Sequence, residues 1–137
     1  MVDRELLLRK AVALEQYLTE LEEFRNLEPE TYRGDWKTQR IVERSLHLAI
    51  EACLDLADHL IADRRLRVPA TQGETFEILR DARLLDSFLA TSLIQMAKFR
   101  NILVHDYARI DPDQILRILR EHLQDLDAFR LAVLASA

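Results

Sequence analysis

Apolar residues recur every three or four positions along most of this chain, and this spacing predicts amphipathic α-helices. Four long helices are predicted, over about residues 3–26, 35–64, 87–103 and 111–132. The second is the longest, and its main apolar positions alternate steps of four and three: Val42, Leu46, Ala49, Cys53, Leu56 and Leu60. Such a heptad-like seam packs along a neighbouring helix. Further apolar residues widen the seam, so we expect this helix to have neighbours on two sides.

Glycine and proline, the residues that most often end helices, are scarce in this chain. Only 2 Gly and 3 Pro occur in 137 residues, whereas turn-rich β folds need many more. Most of them mark loops at residues 26–34 and 65–73, and the first loop holds a predicted helical turn at residues 28–33. The chain is therefore predicted to be one all-α domain over residues 1–137, an up-and-down four-helix bundle with a short additional helix.

Two start signals locate the short helix and the last long one. Thr71 and Glu74 fit the Ser/Thr-x-x-Glu capping pattern, ahead of a short helix predicted over about residues 74–82. Asp111 is predicted to cap the fourth long helix, because proline follows it and glutamine stands three residues later. Both caps would supply a side-chain oxygen to backbone N–H groups that have no partner inside the helix.

The composition narrows the class of protein. Hydrophobic residues make up 49% of the chain, which is enough for a core and excludes a disordered polymer. No apolar run approaches the roughly 20 residues that a membrane span requires, and the N-terminus lacks the pattern of a signal peptide. The single cysteine, Cys53, cannot form an internal disulfide and is predicted to be a small buried hydrophobe. We therefore expect a cytoplasmic protein with no membrane association.

The distribution of charged residues affects whether this chain can bind nucleic acid. A net charge of −5 disfavours it, because contacts to phosphate dominate that affinity. RNA binding would need a local basic patch, for which residues 33–44, 64–67 and 98–100 are candidates, although each also fits a solvated helix face. The second long helix carries a polar stripe on one face: Arg40, Arg44, His47, Glu51 and Asp55. This stripe either lines a cleft or forms an ion-paired surface.

The richest chemistry lies where the third long helix is predicted to end, in the octet Arg100-Asn101-Ile102-Leu103-Val104-His105-Asp106-Tyr107. In a continuous helix five residues turn the chain through about 500°, so Arg100 and His105 would share a site more readily if the helix loosened near the histidine. Histidine moves protons near neutral pH, and arginine holds phosphate oxygens. The pair suits RNA cleavage without a metal, in which the histidine activates the ribose 2′-hydroxyl and the arginine stabilises the phosphorane.

Structural roles also explain these residues. His105 can cap the helix, Arg100 can pair with Asp106 or another acid, and Tyr107 can be a packed aromatic with a satisfied hydroxyl. An arginine and a histidine at this spacing are common by chance, so the pair alone does not establish a ribonuclease. The other histidines and the acids show no spacing typical of zinc or of a dinuclear site, and we expect no cofactor.

The full octet resembles the R-x4-H-x-Y signature of HepT-like toxins, a branch of the HEPN superfamily of helical ribonucleases. The resemblance covers most of residues 33–130, because residues 40–60, 76–79 and 110–129 are similar to the family's second helix, middle segment and last helix. It implies an all-α bundle that acts as a homodimer, with two copies of the motif facing one cleft. Residues 83–86 lack the glycine that relatives often carry there.

The resemblance also implies a role for each polar residue of the octet. Arg100 and His105 would be catalytic, Asn101 would be auxiliary, and Tyr107 would be the site of AMPylation by a MntA-like nucleotidyltransferase antitoxin. The expected function is that of a metal-independent endoribonuclease toxin of a type VII toxin–antitoxin pair, with RNA as substrate. The alternative is a non-catalytic helical module that binds a nucleotidyltransferase partner or a nucleotide.

Overall fold

The computed structural model describes residues 4–136, and all of the regular structure in that range is helical. Residue 3, where the first helix was predicted to begin, lies outside the described residues. The elements are α1 (Arg4–Glu22), α2 (Pro29–Arg33), α3 (Trp36–Asp63), α4 (Gln72–Asp81), α5 (Ser87–His105), a 3₁₀ turn (Tyr107–Arg109), α6 (Pro112–Glu121) and α7 (Leu123–Ser136). The predicted all-α class is confirmed. Within residues 4–136 no helix has the length and apolarity needed to cross a membrane.

The long helix α3 is the centre of the bundle and packs against α1, α4, α5 and α7. Its six seam positions are all buried, as are Ile50, Leu54, Ala57 and Ile61 beside them. Each fully buried leucine or isoleucine contributes about 1.5–3 kcal/mol relative to an exposed one. The predicted two-sided packing of this helix is therefore confirmed. Cys53 is buried as predicted, and its burial raises the pKa of the thiol.

The helices α1 and α4 both pack against α3. A buried stripe of α1 faces α3 and α7: Leu7, Ala11, Leu14, Leu18 and Leu21. This helix ends at Glu22, earlier than predicted, and continues as turns in which the Phe24 N–H donates to the Leu21 carbonyl at 3.0 Å. The short α4 packs on α5 and α3, and the helical turn predicted within the first loop is α2.

The fourth long helix was predicted to be continuous, and this was wrong. It divides at His122 into α6 and α7, where the backbone angles are φ −121° and ψ −5°. The break allows α6 to pack on α2 while α7 packs on α1, α3 and α5. The Asp125 carboxylate holds the junction, because it accepts from Ser92 Oγ of α5 at 2.6 Å and lies 2.9 Å from His122 Nδ1.

Both predicted caps are confirmed. Thr71 Oγ1 accepts from the Glu74 N–H at 3.2 Å, although α4 begins at Gln72, slightly before the predicted start. Asp111 Oδ1 accepts from the Asp113 N–H at 2.9 Å and fixes the start of α6. A third cap, Asp86, precedes α5, where its Oδ1 accepts from the Leu89 N–H at 2.7 Å. Asp86 and Asp111 therefore cap the helix that carries most of the octet and the helix that follows it.

A residue with a left-handed backbone conformation follows the end of α4. Arg83 has φ 63°, in the region that favours glycine. Its N–H donates to the Arg80 carbonyl, and the Leu84 N–H donates to the Leu79 carbonyl, both at 2.9 Å. These two bonds form a Schellman motif, which turns the chain from α4 into α5.

Candidate active site

The octet lies at the C-terminal end of α5. The helix remains regular through His105, and its cap residue Asp106 leaves the helical region with φ −144° and ψ 68°. Because the helix does not loosen before His105, Arg100 and His105 lie about 140° apart around α5. The chain therefore presents the two side chains on different sides of one helix. Tyr107 opens the 3₁₀ turn that leads towards α6.

Arg100 is the most firmly held residue of the octet. Its Nε and Nη2 both contact Oε1 of Glu51 on α3, and its Nη1 donates to Oδ1 of Asn101 at 3.3 Å. The Arg100 side chain is 18% exposed. Two contacts to one carboxylate fix the plane of a guanidinium more firmly than one contact does. The orientation of Arg100 is thus set by a residue of α3. Asp106, which the sequence suggested as a partner of Arg100, lies 3.7 Å from Arg109 instead.

The polar stripe of α3 continues from Glu51 to Arg44. Arg44 Nη1 lies 3.1 Å from His47 Nδ1, and His47 Nε2 lies 3.3 Å from Glu51 Oε1. Arginine only donates, so Nδ1 accepts and Nε2 carries the proton that is donated to Glu51. The result is a chain of hydrogen bonds, here called the polar chain, that runs through Arg44, His47, Glu51 and Arg100. The two ends of the stripe do not join it, because Asp55 pairs with Lys10 and Arg40 pairs with Glu43.

His105 and Tyr107 are exposed. The Tyr107 side chain is among the large apolar groups left open to solvent, at 71% exposure, so it is not a packed aromatic. Among residues 4–136, neither side chain has a hydrogen-bond or ion-pair partner. Arg100 is therefore pre-positioned by protein contacts, whereas the histidine and the tyrosine remain accessible to a substrate or to a second protein.

Two hollows share Arg40, Glu43 and Tyr107, and together they form one groove between α3 and the chain that runs from the end of α5 to the start of α6. The first has a volume of about 500 Å³ and is lined by Gln39, Arg40, Glu43, Tyr107, Ile110 and Pro112. The second has a volume of about 470 Å³ and is lined by Arg40, Glu43, Arg44, His47, Leu103, Val104 and Tyr107. We call the two together the Tyr107 groove. The sequence left open whether the polar stripe lines a cleft or forms an ion-paired surface. Arg40, Arg44 and His47 line the groove, and Asp55 forms an ion pair with Lys10, so each interpretation describes part of the stripe.

Glu43 was not singled out from the sequence, although it stands three residues after Arg40 and so faces the same side of α3. Its side chain is 12% exposed, and Arg40 Nη1 lies 3.4 Å from its Oε1. Burial raises the pKa of the Glu43 carboxyl, and the nearby Arg40 opposes this rise. A partly buried carboxyl thus lies in the wall of the Tyr107 groove.

The other histidines lie away from the octet. His122 contacts Asp125 at the α6–α7 junction, and His59 is half-buried on α3. Across residues 4–136, no three side chains of His, Cys, Asp or Glu come together in a way that could hold a metal ion. The residues that remain for chemistry at the end of α5 are those of the octet and of the facing stripe on α3.

Comparison with known proteins identifies the family. Residues 14–133 match the family described as "Ribonuclease HepT-like", and the chain belongs to this family. It is 31% identical over 98 residues to the protein named "mRNA nuclease HepT" of Shewanella oneidensis, covering 72% of this chain and 74% of the relative. It is 32% identical over 109 residues to the "tRNA nuclease HepT" of Aphanizomenon flos-aquae, covering 80% and 74%. The resemblance inferred from the octet is therefore confirmed.

The fold is also that of a solved toxin. The structure of a tri-AMPylated Shewanella oneidensis HEPN toxin in complex with an MNT antitoxin superposes with a TM-score of 0.88 at 25% identity. The match covers 98% of this chain and 99% of that chain. The two proteins therefore share one fold over nearly their whole length. This shared fold includes the region of α6 and α7.

Proposed function

We propose that this protein is the ribonuclease toxin of a type VII toxin–antitoxin pair and that it cleaves RNA without a metal. The observation that carries the proposal is the placement of Arg100, which Glu51 and Asn101 orient at the same helix end as the accessible His105. Membership of the HepT-like family and the nuclease names of two relatives support it.

Arg100 would bind the scissile phosphate. Its contacts to Glu51 and Asn101 use Nε and one N–H on each Nη, which leaves one N–H on each Nη for phosphate oxygens. Two such donors match the geometry of a phosphate and stabilise the charge that develops on the phosphorane. Asn101 acts as an auxiliary residue through its bond to the arginine.

His105 would move the protons. It takes the proton of the ribose 2′-hydroxyl as the 2′-oxygen bonds to phosphorus, and a protonated histidine donates to the 5′-oxygen as the bond to that oxygen breaks. The products are a 2′,3′-cyclic phosphate and a 5′-hydroxyl, and DNA is not cleaved because it lacks the 2′-hydroxyl.

We propose a homodimer as the active form. One α5 presents Arg100 and His105 about 140° apart. A cleft between two copies of the octet would allow an arginine and a histidine to approach one phosphate from two sides. This arrangement would also double the positive charge at the cleft, which matters in a chain whose net charge is −5.

We propose that AMPylation of Tyr107 by a MntA-like nucleotidyltransferase antitoxin neutralises the toxin. Tyr107 Oη would bond to the α-phosphorus of ATP, release its proton and displace pyrophosphate. The exposure of Tyr107 and the likeness to a tri-AMPylated toxin support this step. The added nucleotide would place bulk and phosphate charge two residues from His105, and it would repel RNA.

Growth and intact mass together test the toxin–antitoxin proposal. Expression of the chain alone should stop growth, and His105→Ala should restore it, whereas the control variant His59→Ala, which changes a histidine of α3, should remain toxic. Co-expression with a nucleotidyltransferase of the antitoxin type should add mass in AMP-sized steps, and Tyr107→Phe should abolish the addition. Equal growth with wild type and His105→Ala would contradict the proposal.

The second candidate is a non-catalytic module that binds a nucleotidyltransferase or a nucleotide. The acidic net charge favours it, because a ribonuclease needs positive potential near its substrate. Under this alternative Tyr107 would still gain AMP, but expression of the chain alone would not be toxic and RNA would remain intact.

A further inference from the structure

We propose that the hollow between α5 and α6, here called the α5–α6 groove, binds backbone phosphates of the RNA strand to one side of the cleaved bond. This rests on the proposed function and adds a subsite beyond the polar residues of the octet. The groove has a volume of about 250 Å³, and its walls include Lys98 and Ile102 of α5 and Gln114 and Arg117 of α6. Among residues 4–136, no Asp or Glu lines it, whereas four other hollows of the surface are each lined by at least one acid. In a chain whose net charge is −5, this groove is suited to an anion.

Lys98 is one of two cations in the groove that lack a partner. It is exposed on α5, and its ammonium group has no ion-pair or hydrogen-bond partner among residues 4–136. The positions three and four residues before and after it hold Ile94, Gln95, Asn101 and Ile102, so no acid on its own helix lies within reach. The ammonium group is therefore available to a phosphate oxygen.

Arg117 is the second unpaired cation, although two acids lie near it in sequence. Asp113 and Glu121 each stand four positions away on α6, a spacing at which opposite charges can pair. Asp113 instead pairs with Arg33 of α2, and Glu121 Oε2 lies 4.0 Å from His122 Nε2. In the part of the chain that the structure describes, the Arg117 guanidinium has no partner of its own. Its N–H groups are thus free to bind one phosphate bidentately.

The α5–α6 groove leads along α5 to His105. Lys98 and His105 are seven residues apart in one helix, which places them about 20° apart around its axis and about 10 Å apart along it. Ile102 lies between them and belongs both to the octet and to the wall of the groove. Arg100, by contrast, lies about 140° around the helix from His105. A strand that passes His105 on this side therefore reaches Lys98 within a few nucleotides.

The other wall comes from α6, which runs back beside α5. The 3₁₀ turn Tyr107–Arg109 joins the end of α5 to the start of α6. Beyond the end of α6, the Asp125 carboxylate accepts from Ser92 Oγ, near the start of α5, at 2.6 Å. Arg117 thus lies on the wall opposite Lys98. Two cations on opposite walls can hold successive phosphates of one strand.

The groove is suited to the RNA backbone rather than to the bases. Proteins often hold single strands by stacking bases on aromatic rings, but the Phe99 ring in the lining is only 3% exposed and offers no face to a base. The His122 ring is held by Asp125, with 2.9 Å between Nδ1 and the carboxylate. Contacts to phosphate fix the position of a strand but carry no sequence information. We therefore expect the groove to add affinity and salt dependence without selecting a sequence.

Binding of a single-stranded 2′-O-methyl oligoribonucleotide tests the groove, because this probe keeps the phosphates but lacks the hydroxyl that cleavage needs. The fluorescence anisotropy of the labelled probe is measured with the full, unmodified chain over a range of salt concentrations. Lys98→Ala and Arg117→Ala should each weaken binding roughly tenfold. Each should also reduce the slope of log affinity against log salt concentration by about 0.7, the value for one phosphate contact to a single strand. Lys98→Arg, which keeps the charge, should retain most of the affinity.

The matched control is Arg9→Ala, which removes an exposed cation of α1 that has no ion pair among residues 4–136. This variant should change neither the affinity nor the salt slope. Cleavage kinetics separate binding from catalysis. Lys98→Ala and Arg117→Ala should raise KM with little change in kcat, and the pH profile set by His105 and the melting temperature should stay where they are.

Affinities and slopes for Lys98→Ala and Arg117→Ala equal to those of Arg9→Ala would overturn the inference. So would a change of oligomeric state in sedimentation with probe binding intact, since the groove would then be a contact between protein chains. Cleavage that depends on His105 while both slopes stay unchanged would overturn the inference alone. Probe binding through Lys98 and Arg117 by a chain that leaves cleavable RNA intact would overturn only the ribonuclease.

Discussion

Glu51 on α3 holds Arg100 on α5 through two guanidinium nitrogens, across 49 positions of sequence. The contact joins the central helix of the bundle to the octet. It also ends the polar chain that begins at Arg44 beside the Tyr107 groove. Glu51 is a positioning residue in the proposed mechanism, because it acts on the phosphate through Arg100.

Loss of Glu51 should impair cleavage more than folding. Glu51→Ala frees Arg100 to rotate, and misplacement of a catalytic group by about 1 Å costs on the order of 100-fold in rate. The Glu51 side chain is 37% exposed, and we expect an ion pair with a solvent-exposed member to contribute about 1 kcal/mol to stability. The checks are the kcat and KM of RNA cleavage with the melting temperature. Asp55→Ala, which removes the neighbouring acid that pairs with Lys10, is the matched control. Equal rates for the two variants would show that Glu51 does not position Arg100.

Glycine at position 83 should stabilise the protein. Arg83 adopts φ 63° at the end of α4, a conformation that costs a residue with a side chain about 1 kcal/mol and costs glycine little. We expect Arg83→Gly to raise the melting temperature by a few degrees. Arg80→Gly, inside the last turn of the same helix, should lower it by a similar amount. A lower melting temperature for Arg83→Gly would contradict the left-handed assignment.

The Glu43 carboxyl should make stability fall as pH rises. Burial raises its pKa above the ordinary value, and a carboxyl with a raised folded pKa stabilises the fold fully below its unfolded pKa, near pH 4. That contribution is lost as pH rises through the folded pKa. Glu43→Gln should therefore raise the melting temperature at about pH 7 and have little effect at about pH 4. The exposed Glu20→Gln should show no such difference. A Glu43→Gln gain confined to low pH would reverse the sign and refute the prediction.

Removal of Asp125 should destabilise the α6–α7 junction. Asp125→Ala leaves Ser92 Oγ and His122 Nδ1 without their shared acceptor, at an expected cost of about 1–3 kcal/mol. Thermal or urea unfolding measures this cost. Ser92→Ala should reduce the effect of a second change at Asp125, since the two groups share one bond. Fully additive losses would show that the carboxylate does not join the two helices through this network.

Much of the fold was predictable because its signals are local. The seam of α3 and the caps at Thr71 and Asp111 lie within a few residues of the elements that they define. The break at His122 left no such signal, since no glycine or proline stands there and the apolar stripe continues across it. It depends on Ser92, a residue of another helix, and on the packing of α6 against α2.

The candidate site was predictable only in part for the same reason. The octet is continuous in sequence and the polar stripe recurs at helical spacing, so the members of both could be named. Which member of the stripe meets Arg100 depends on the register between α3 and α5, which periodicity does not give. The Tyr107 groove depends on where the chain runs after α5, and the place of the Glu43 carboxyl in its wall follows from burial.

The most direct test of the central claim is an end-group analysis of RNA treated with purified, unmodified protein in the presence of EDTA. We expect RNA to be cut into fragments with 2′,3′-cyclic phosphate and 5′-hydroxyl ends. DNA of the same sequence should stay intact, and both Arg100→Ala and His105→Ala should be inactive while folding normally. Intact RNA with the wild-type protein, or equal cleavage by His105→Ala, would contradict the assignment of Arg100 and His105 as the catalytic pair.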